Sequence, residues 1–176
     1  MVKPWNSCPR NAGSWTGLKD QVFVVEQMEG VITMIDFDTI DPYLLRPVGI
    51  VRSKLKRRED CPRQGWEGAP DAWVEIDPAF VEGLDGITPG HEVVLLTWFH
   101  KAKRNVLKVH PRNNPENPLR GVFTTRSADR PNPVGLHRVE VLEVDMQGRV
   151  RVRPLEALDG TPIIDIKPIL QKSLDV

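Results

Sequence analysis

Short apolar runs separated by proline and glycine dominate the hydrophobic pattern of this chain. Three runs have the length and apolar content of strands: VGIVRS at 48–53, AWVEI at 72–76 and HEVVLLTWF at 91–99. A fourth, NVLKVHP at 105–111, alternates as a half-buried strand does. Short strands with turn residues at regular intervals are typical of all-β proteins. The pattern therefore predicts seven to nine short strands, little helix, and a β-barrel or sandwich.

Two hairpins and one helical turn complete this prediction. The segment 135–158 alternates on both sides of a turn at 146–148, which places Val139 and Val141 on one face and charged residues on the other. An aspartate N-cap followed by proline predicts one short helical turn over 77–87. Two β-rich runs near the N-terminus, VFVVEQ and VITMIDFD, predict a further hairpin.

Composition narrows the class of protein. With 176 residues, 40% apolar and 27% charged, the chain suits one globular domain with an appendage, and its net charge of zero neither demands nor excludes nucleic acid. Cys8 and Cys61 are far apart and the histidines lack ligand spacing, so we expect neither a disulfide framework nor a metal site. There is no GxGxxG motif after a strand, no membrane-length apolar run and no hydrophobic signal core. We therefore expect a cytoplasmic protein without membrane contact or a Rossmann fold.

Four polar clusters lie at predicted loops and strand ends: CPRQG at 61–65, FHKAKR at 99–104, TRSADRPNP at 125–133 and LDGTPIIDIKP at 158–168. Taken singly, each is compatible with a solvated loop or a surface ion pair. Together they supply cations, amides, carboxylates and a turn glycine, which suit a ligand with anionic and amide-rich parts.

The third and fourth clusters carry the most specific chemistry. Arg126 and Arg130 each have the planar fork that binds a carboxylate or phosphate, and Asn132 lies between two prolines that stiffen its backbone. The Asp-Gly-Thr-Pro turn is expected to expose backbone N–H groups to a ligand. Asp165 and Lys167 are two residues apart, so they share one face of an extended segment.

Two long motifs resemble those of the TrmO family of tRNA methyltransferases, also known as TsaA-like or YaeB: GVFTTRSADRPNPVGLHRVEV and, further along, LDGTPIIDIKP. The PVGIVRS strand, the Pro-Arg-Gln loop and the Phe-His at the end of the long apolar strand match the family in the same order. The resemblance covers residues 46–170. It leaves an N-terminal extension at 1–45, with the predicted hairpin, and a short tail at 171–176.

This resemblance implies a small single-sheet β-barrel with short helical turns, usually dimeric, that binds S-adenosylmethionine without a Rossmann fold. It also implies N6-methylation of threonylcarbamoyl-adenosine at position 37, beside the anticodon of threonine tRNAs. By motif position, the implied cofactor contacts are Pro62, Arg63, Gln64, His100, Lys101, Arg126, Leu136, Asp159, Gly160, Thr161 and Pro162. The candidates for the reaction centre, from the same motifs, are Arg130, Asn132, Asp165 and Lys167.

Three sites depart from the family pattern. Ala128-Asp129 replaces the usual Pro-Phe, His137 replaces a serine and Ile169 replaces a tyrosine. Asp129 brings a negative charge next to the expected anion site, which favours a different substrate. Two other functions therefore stay open: methylation of a small molecule with the same cofactor, and a non-enzymatic module that senses the cofactor.

Overall fold

The computed structural model describes residues 45–169, and eight strands lie in this part of the chain. They are β1 Gly49–Arg52, β2 Ala72–Ile76, β3 Glu92–Trp98, β4 Lys108–Val109, β5 Arg120–Gly121, β6 Val134–Val144, β7 Arg149–Arg153 and β8 Pro162–Pro168. Six of them close an antiparallel barrel in the order β1-β2-β7-β6-β3-β8, and β4 pairs with β5 in a two-stranded ribbon. The predicted mainly-β barrel is confirmed. The predicted N-terminal hairpin and the tail at 171–176 lie outside the described residues.

Aliphatic side chains fill the barrel because each strand alternates inward apolar and outward polar residues. On β6, Val139 and Val141 are buried, whereas Arg138 and Glu140 lie on the outer wall, as the alternation predicts. Each fully buried side chain of this kind stabilises the fold by roughly 1.5–3 kcal/mol. The buried aliphatic core consists of Val51, Ala72, Val74, Ile76, Leu84, Val93, Leu95, Val139, Val141, Val150, Val152, Leu155, Ala157 and Ile163.

Turn chemistry in the sequence also holds. Between β6 and β7, the Asp145 carboxylate accepts hydrogen bonds from the backbone N–H groups of Gln147 and Arg149, each at 2.9 Å. Gly148 in the same turn has φ of 77°, a conformation that favours glycine. The predicted helical turn is a 3-10 helix, and the Asp77 carboxylate caps it by accepting from Ala79 N at 2.9 Å. The 3-10 helices of the described chain are Arg58–Asp60, Gly65–Glu67, Pro78–Leu84, Pro111–Asn113 and Val122–Thr124.

The segment at 105–111 differs from its prediction. Only Lys108 and Val109 pair as a strand, with Gly121 and Arg120, and this ribbon is separate from the barrel sheet. Leu107 is 63% exposed, so the alternation there does not correspond to a half-buried wall. The expectation of a full-length strand was wrong, because local alternation does not specify whether a partner strand lies alongside.

Antiparallel closure determines where the loops lie. β1, β3 and β7 end, and β2, β6 and β8 begin, at one end of the barrel. The connections 53–71, 99–133 and 154–161 therefore meet there, and we call this the site end. Within residues 45–169, no helix is long and apolar enough to span a bilayer, and no three His, Cys, Asp or Glu side chains form a metal-binding group.

Candidate functional site

The site end collects most of the residues singled out in the sequence. Pro62, Arg63 and Gln64 lie in the β1–β2 connection, and Asp159, Gly160 and Thr161 lie in the β7–β8 connection, with Pro162 opening β8. The β3–β6 connection contains His100, Lys101, Arg126, Arg130 and Asn132. Leu136, Asp165 and Lys167 instead lie within β6 and β8.

Asp129 joins two of these connections. Its carboxylate accepts a hydrogen bond from Lys103 N at 2.8 Å and from Arg58 Nη2 at 3.1 Å. Partial burial opposes ionisation, but these hydrogen bonds outweigh it and hold the pKa of Asp129 below its usual range. The negative charge that departs from the family pattern is therefore compensated by the protein's own groups. The Asp129 carboxylate connects two loops of the protein, so its charge no longer favours a different substrate.

Arg130 shapes the loop that precedes β6. Its guanidinium donates to three backbone carbonyls, from Nε to Ser127 O at 2.8 Å and from Nη2 to Val122 O at 3.0 Å and to Thr125 O. A guanidinium with two nitrogens occupied in this way orders the chain around it. The arrangement supports a loop-building role, and its proposed place at the reaction centre stays a prediction.

The Pro-Asn-Pro segment that follows is anchored at both ends. Pro133 is fully buried and its carbonyl accepts from Phe99 N at 2.9 Å, while Pro131 O accepts from Arg104 Nε at 2.9 Å. Asn132 between them is exposed. The two prolines therefore hold an amide side chain at the surface of the site end on a fixed backbone.

The β7–β8 turn differs from expectation. Gly160 has φ of 78°, so the turn does need glycine, but the N–H groups of Asp159, Gly160 and Thr161 donate to Leu55 O, Val51 O and Leu158 O. The prediction that this turn exposes N–H donors to a ligand was wrong. The Asp159 carboxylate accepts from Ser53 N at 3.0 Å and lies 2.8 Å from Lys56 Nζ. The hydrogen bond from Lys56 is the main cause that lowers the pKa of Asp159, so this carboxylate is ionised at neutral pH.

The Pro-Arg-Gln loop packs on the same connection. A Cβ placed on Gly65 meets Pro154 Cγ at 3.0 Å and Glu156 Oε2 at 3.2 Å, so glycine permits the close approach of the two loops. Arg63 is exposed, and Gln64 is the N-cap residue directly before the 3-10 helix Gly65–Glu67. Burial raises the pKa of the neighbouring Cys61 thiol, which is the opposite of an activated cysteine.

His100 and Lys101 follow directly after β3. Partial burial, and then the positive charge of Lys101, lower the pKa of His100. The imidazole is therefore neutral near pH 7 and offers one donor and one acceptor.

A second group of candidate residues lies on the outer wall of the barrel. Leu136 on β6 and Asp165 on β8 flank Leu96 of β3, and Arg126 Nη2 donates to Leu136 O at 3.3 Å. Neighbouring strands are about 4.8 Å apart, so Leu136 and Asp165 lie roughly 10 Å from each other on this wall. Lys167 Nζ lies 2.8 Å from Asp165 Oδ2, which confirms that these two side chains share a face.

Sequence reasoning missed a polar chain inside the barrel. His137 Nε2 lies 2.9 Å from Thr97 Oγ1, and both residues are buried. His137 Nδ1 lies 2.9 Å from Glu156 Oε1 without the alignment of a hydrogen bond. The signal was present as a histidine at an inward position of an alternating apolar strand. Its partners are distant in sequence and gave no local sign.

A groove of about 650 Å³ lies at the site end, beside β1 and β2. Of the predicted cofactor residues, Asp159 lines it, and Trp73 contributes an aromatic side chain. Its other lining residues are Arg52, Ser53, Lys54, Lys56, Asp71, Ala72 and Arg151.

These features define a class, an antiparallel β-barrel whose loops build a polar site at one end and whose sheet has no Rossmann crossover. The family described as tRNA-methyltransferase O N-terminal domain matches residues 50–175, and the chain belongs to this TrmO family. A "Probable S-adenosyl-L-methionine-binding protein" of Methanothermobacter thermautotrophicus is 48% identical over 125 residues, 70% of this chain and 88% of that protein. An S-adenosyl-L-methionine-binding protein of Archaeoglobus fulgidus is 45% identical over 124 residues, 70% of this chain and 87% of that protein.

A solved structure agrees with the barrel. The crystal structure of TrmO from Pseudomonas aeruginosa is 30% identical, with a TM-score of 0.58, and the match covers 77% of this chain. This chain spans 60% of that crystallised chain.

Proposed function

We propose that this protein is an S-adenosylmethionine-dependent methyltransferase that modifies N6 of threonylcarbamoyl-adenosine 37 in threonine tRNA. The observation that carries the proposal is the meeting of three connections, 53–71, 99–133 and 154–161, at one end of the barrel. Antiparallel closure brings together the motifs that this chain shares with its family, and two relatives of the chain are named for S-adenosylmethionine binding, which supports the proposal. The same proposal places the protein in the cytoplasm with its tRNA.

The groups present at the site end fit the cofactor. Its carboxylate suits the guanidinium of Arg126, and its ammonium and ribose hydroxyls suit acceptors. With the N–H groups of the β7–β8 turn bonded internally, that turn offers carbonyl oxygens and the ionised Asp159 instead. The neutral imidazole of His100 and the amide of Gln64 suit an adenine edge. These residues together with Leu136 are the proposed cofactor contacts.

S-adenosylmethionine supplies a sulfonium methyl group, which passes to a nitrogen while the sulfur keeps the electrons of the broken carbon–sulfur bond. The protein must prepare the nitrogen. N6 of a carbamoylated adenosine is a weak nucleophile because its lone pair is delocalised into the carbonyl, so its proton has to leave. We propose that the Asp165 carboxylate accepts this proton and that Lys167, 2.8 Å away, stabilises the charges that form. General-base help of this kind contributes about 10²–10⁴-fold.

A homodimer belongs to the same proposal. The outer wall of β3 and β6 exposes apolar side chains, with Leu136 at 50% and Val134 at 39% exposure. Leu136 lies on that wall, Arg126 Nη2 donates to Leu136 O, and Asp165 lies on the neighbouring strand β8. Contact with a second copy there would therefore border the proposed reaction centre. Dilution below the dimer dissociation constant is expected to lower specific activity and mass together, as measured by steady-state assay and sedimentation velocity.

Titration calorimetry of S-adenosylmethionine tests the cofactor step. The Arg126→Ala variant is expected to bind at least about tenfold more weakly, since hydrogen bonds to charged groups contribute roughly 1.5–3 kcal/mol. Arg138→Ala is the matched control, because Arg138 lies two residues after Leu136 on the same wall and pairs with Glu92 at 2.7 Å. Absence of binding to the wild type, or equal binding by both variants, would overturn the proposal.

The methyl acceptor needs its own assay. Transfer of labelled methyl groups to threonine tRNA that carries the threonylcarbamoyl modification is expected, with little transfer to the unmodified tRNA. Asp165→Asn is expected to lower kcat about 10²–10⁴-fold while cofactor affinity stays near that of the wild type. Transfer to a small molecule at a rate insensitive to salt would instead support a small-molecule methyltransferase.

A further inference from the structure

Residues 105–123 contain β4, β5 and their flanking turns, and the proposed methyl transfer assigns no role to the surface that they form. We call them the ribbon segment. We propose that the ribbon segment contacts single-stranded RNA, with Phe123 as a stacking side chain and Lys108 as a phosphate contact. This inference rests on the proposed function, because it assigns a surface for the same RNA substrate.

The connection 99–133 is strongly basic. It contains eight Lys and Arg residues and two Asp and Glu residues, although the net charge of the chain is zero. Zero net charge overall therefore conceals a strongly basic loop region at the site end. A local patch of this kind attracts a polyanion whatever the charge of the remaining chain.

The ion-pair pattern separates this region from the barrel wall. On the wall, five arginines lie 2.6–3.4 Å from a carboxylate: Arg52, Arg138, Arg149, Arg151 and Arg153. The connection 99–133 has fewer ion pairs. Within the described residues 45–169, they are Arg112 with Glu67 and Asp129 with Arg58. No carboxylate of the described chain lies within ion-pair distance of Lys108 or Arg120. Among residues 45–169, the wall arginines have carboxylate partners, whereas Lys108 and Arg120 have none.

Exposed apolar side chains occur on the same segment. Phe123 is 81% exposed, Leu107 63% and Leu119 52%, whereas Val122 is buried. Val122 N donates to Leu107 O at 3.0 Å, so the backbone of Leu107 lies opposite that of Val122, the residue before Phe123. Trp66, 80% exposed, precedes Glu67, whose ion pair with Arg112 at 3.0 Å holds its loop against the ribbon segment.

Single-stranded RNA fits this combination. Unpaired bases stack on exposed aromatic side chains, and the phosphates between them need cations at close spacing. Lys108 pairs with Gly121 and Val109 with Arg120, so the side chains of Lys108 and Arg120 lie on opposite faces of the ribbon. Gly121, which has no side chain, lies opposite Lys108 and two residues before Phe123, so we assign the phosphate contact next to Phe123 to Lys108. A second copy docked by two-fold symmetry on this surface would instead bring the same basic segment against itself, which is unfavourable.

Fluorescence anisotropy tests the inference, with a fluorescein-labelled RNA hairpin whose loop is unpaired and a blunt RNA duplex as the probes. Phe123→Ala is expected to weaken hairpin binding about 5- to 100-fold, because stacking on one aromatic residue contributes this much per base. Its effect on the duplex is expected to be small. Binding of S-adenosylmethionine should be unchanged in this variant.

A charge-removing variant tests the phosphate contact. Lys108→Gln is expected to reduce the slope of log K against log salt by about 0.7, since each phosphate contact to a single strand contributes about that much. The matched control is Arg153→Gln, which removes a wall cation that already has a carboxylate partner. This control should leave both affinity and slope near those of the wild type.

Several outcomes would overturn the inference. One is wild-type hairpin affinity in Phe123→Ala, and another is an equal change of slope in Lys108→Gln and Arg153→Gln. A change of mass in Phe123→Ala by sedimentation, with RNA affinity intact, would mean that a second copy covers this surface. The two proposals can fail separately. If methyl transfer to tRNA is absent but the variants still change RNA binding as expected, the proposed function is wrong and the assignment of the ribbon segment holds.

Discussion

His137 Nε2 lies 2.9 Å from Thr97 Oγ1 inside a barrel whose core is mainly aliphatic. The pair lies at the site end, where β3 runs out and β6 begins. Glu156, from the connection that packs against Gly65, lies on the other side of the imidazole at 2.9 Å. One buried side chain therefore links the barrel interior to the connection beneath the Pro-Arg-Gln loop.

Removing this imidazole is expected to destabilise the fold. His137→Ala leaves the Thr97 hydroxyl without a partner and opens a cavity, and an unsatisfied buried polar group costs about 1–3 kcal/mol. Urea denaturation at pH 7 measures the change in the free energy of unfolding. Arg138→Ala, the adjacent residue on the outer wall, should stay close to the wild type. Equal stability of the two variants would contradict the structural role.

Gly135 is the position where this cluster tolerates no side chain. A Cβ there would lie 2.2 Å from Thr97 Oγ1, 2.5 Å from Phe99 Cζ and 2.7 Å from His137 Nε2. Gly135→Ala is expected to cost about 1–3 kcal/mol, the usual price of overpacking a core. Gly121→Ala is the control, because a Cβ there meets nothing within 4 Å and its φ of −62° is ordinary. Thermal denaturation measures the stability of both variants. Equal melting temperatures would contradict the expected destabilisation by a side chain at position 135.

Arg130 should not be replaceable by lysine. Lys keeps the charge but lacks the fork that reaches the carbonyls of Val122, Thr125 and Ser127. Arg130→Lys is expected to lose about 1.5–3 kcal/mol of stability and to weaken S-adenosylmethionine binding in calorimetry. The control Arg120→Lys should change the free energy of unfolding by about 0.5 kcal/mol or less, as for an ordinary surface position. If the two variants behave alike, Arg130 does not build the loop.

The Asp129 bridge predicts a dependence of stability on pH. Because the folded pKa of Asp129 is depressed, its contribution is complete above the ordinary carboxyl pKa of about 4 and is lost as pH falls through the folded pKa. Asp129→Asn should therefore be less stable than the wild type at pH 7, with the difference shrinking toward pH 3. Denaturation across that range measures it. Asp60→Asn, which breaks an exposed pair within one loop with Arg57, provides the comparison and should have little effect. If the stability difference between the wild type and Asp129→Asn stays constant with pH, the charge of the carboxylate does not cause it.

Local patterns were enough for the parts of the fold that local physics controls. The apolar run at 72–76 forms β2 with the predicted bounds, and the turn near Gly148 joins β6 to β7 as predicted. Alternation within a strand, the φ of a glycine and an aspartate N-cap depend on neighbours a few residues away. The same reasoning failed at 105–111, where alternation needed a distant partner strand, and at the Asp159–Thr161 turn, whose N–H groups are bonded to β1 and its loop.

By itself, the sequence determined the all-β class, most strand positions, the order of the motifs and, through two long motifs, the family. Only the tertiary structure decided what the candidate residues contact. Asp129 reaches Arg58 across 71 positions and Thr97 meets His137 across 40, and no short-range pattern encodes such distances. The physical reason is barrel closure, which brings three connections to one end and leaves Asp165 and Leu136 on the wall. Charge compensation and burial arise only when those connections meet.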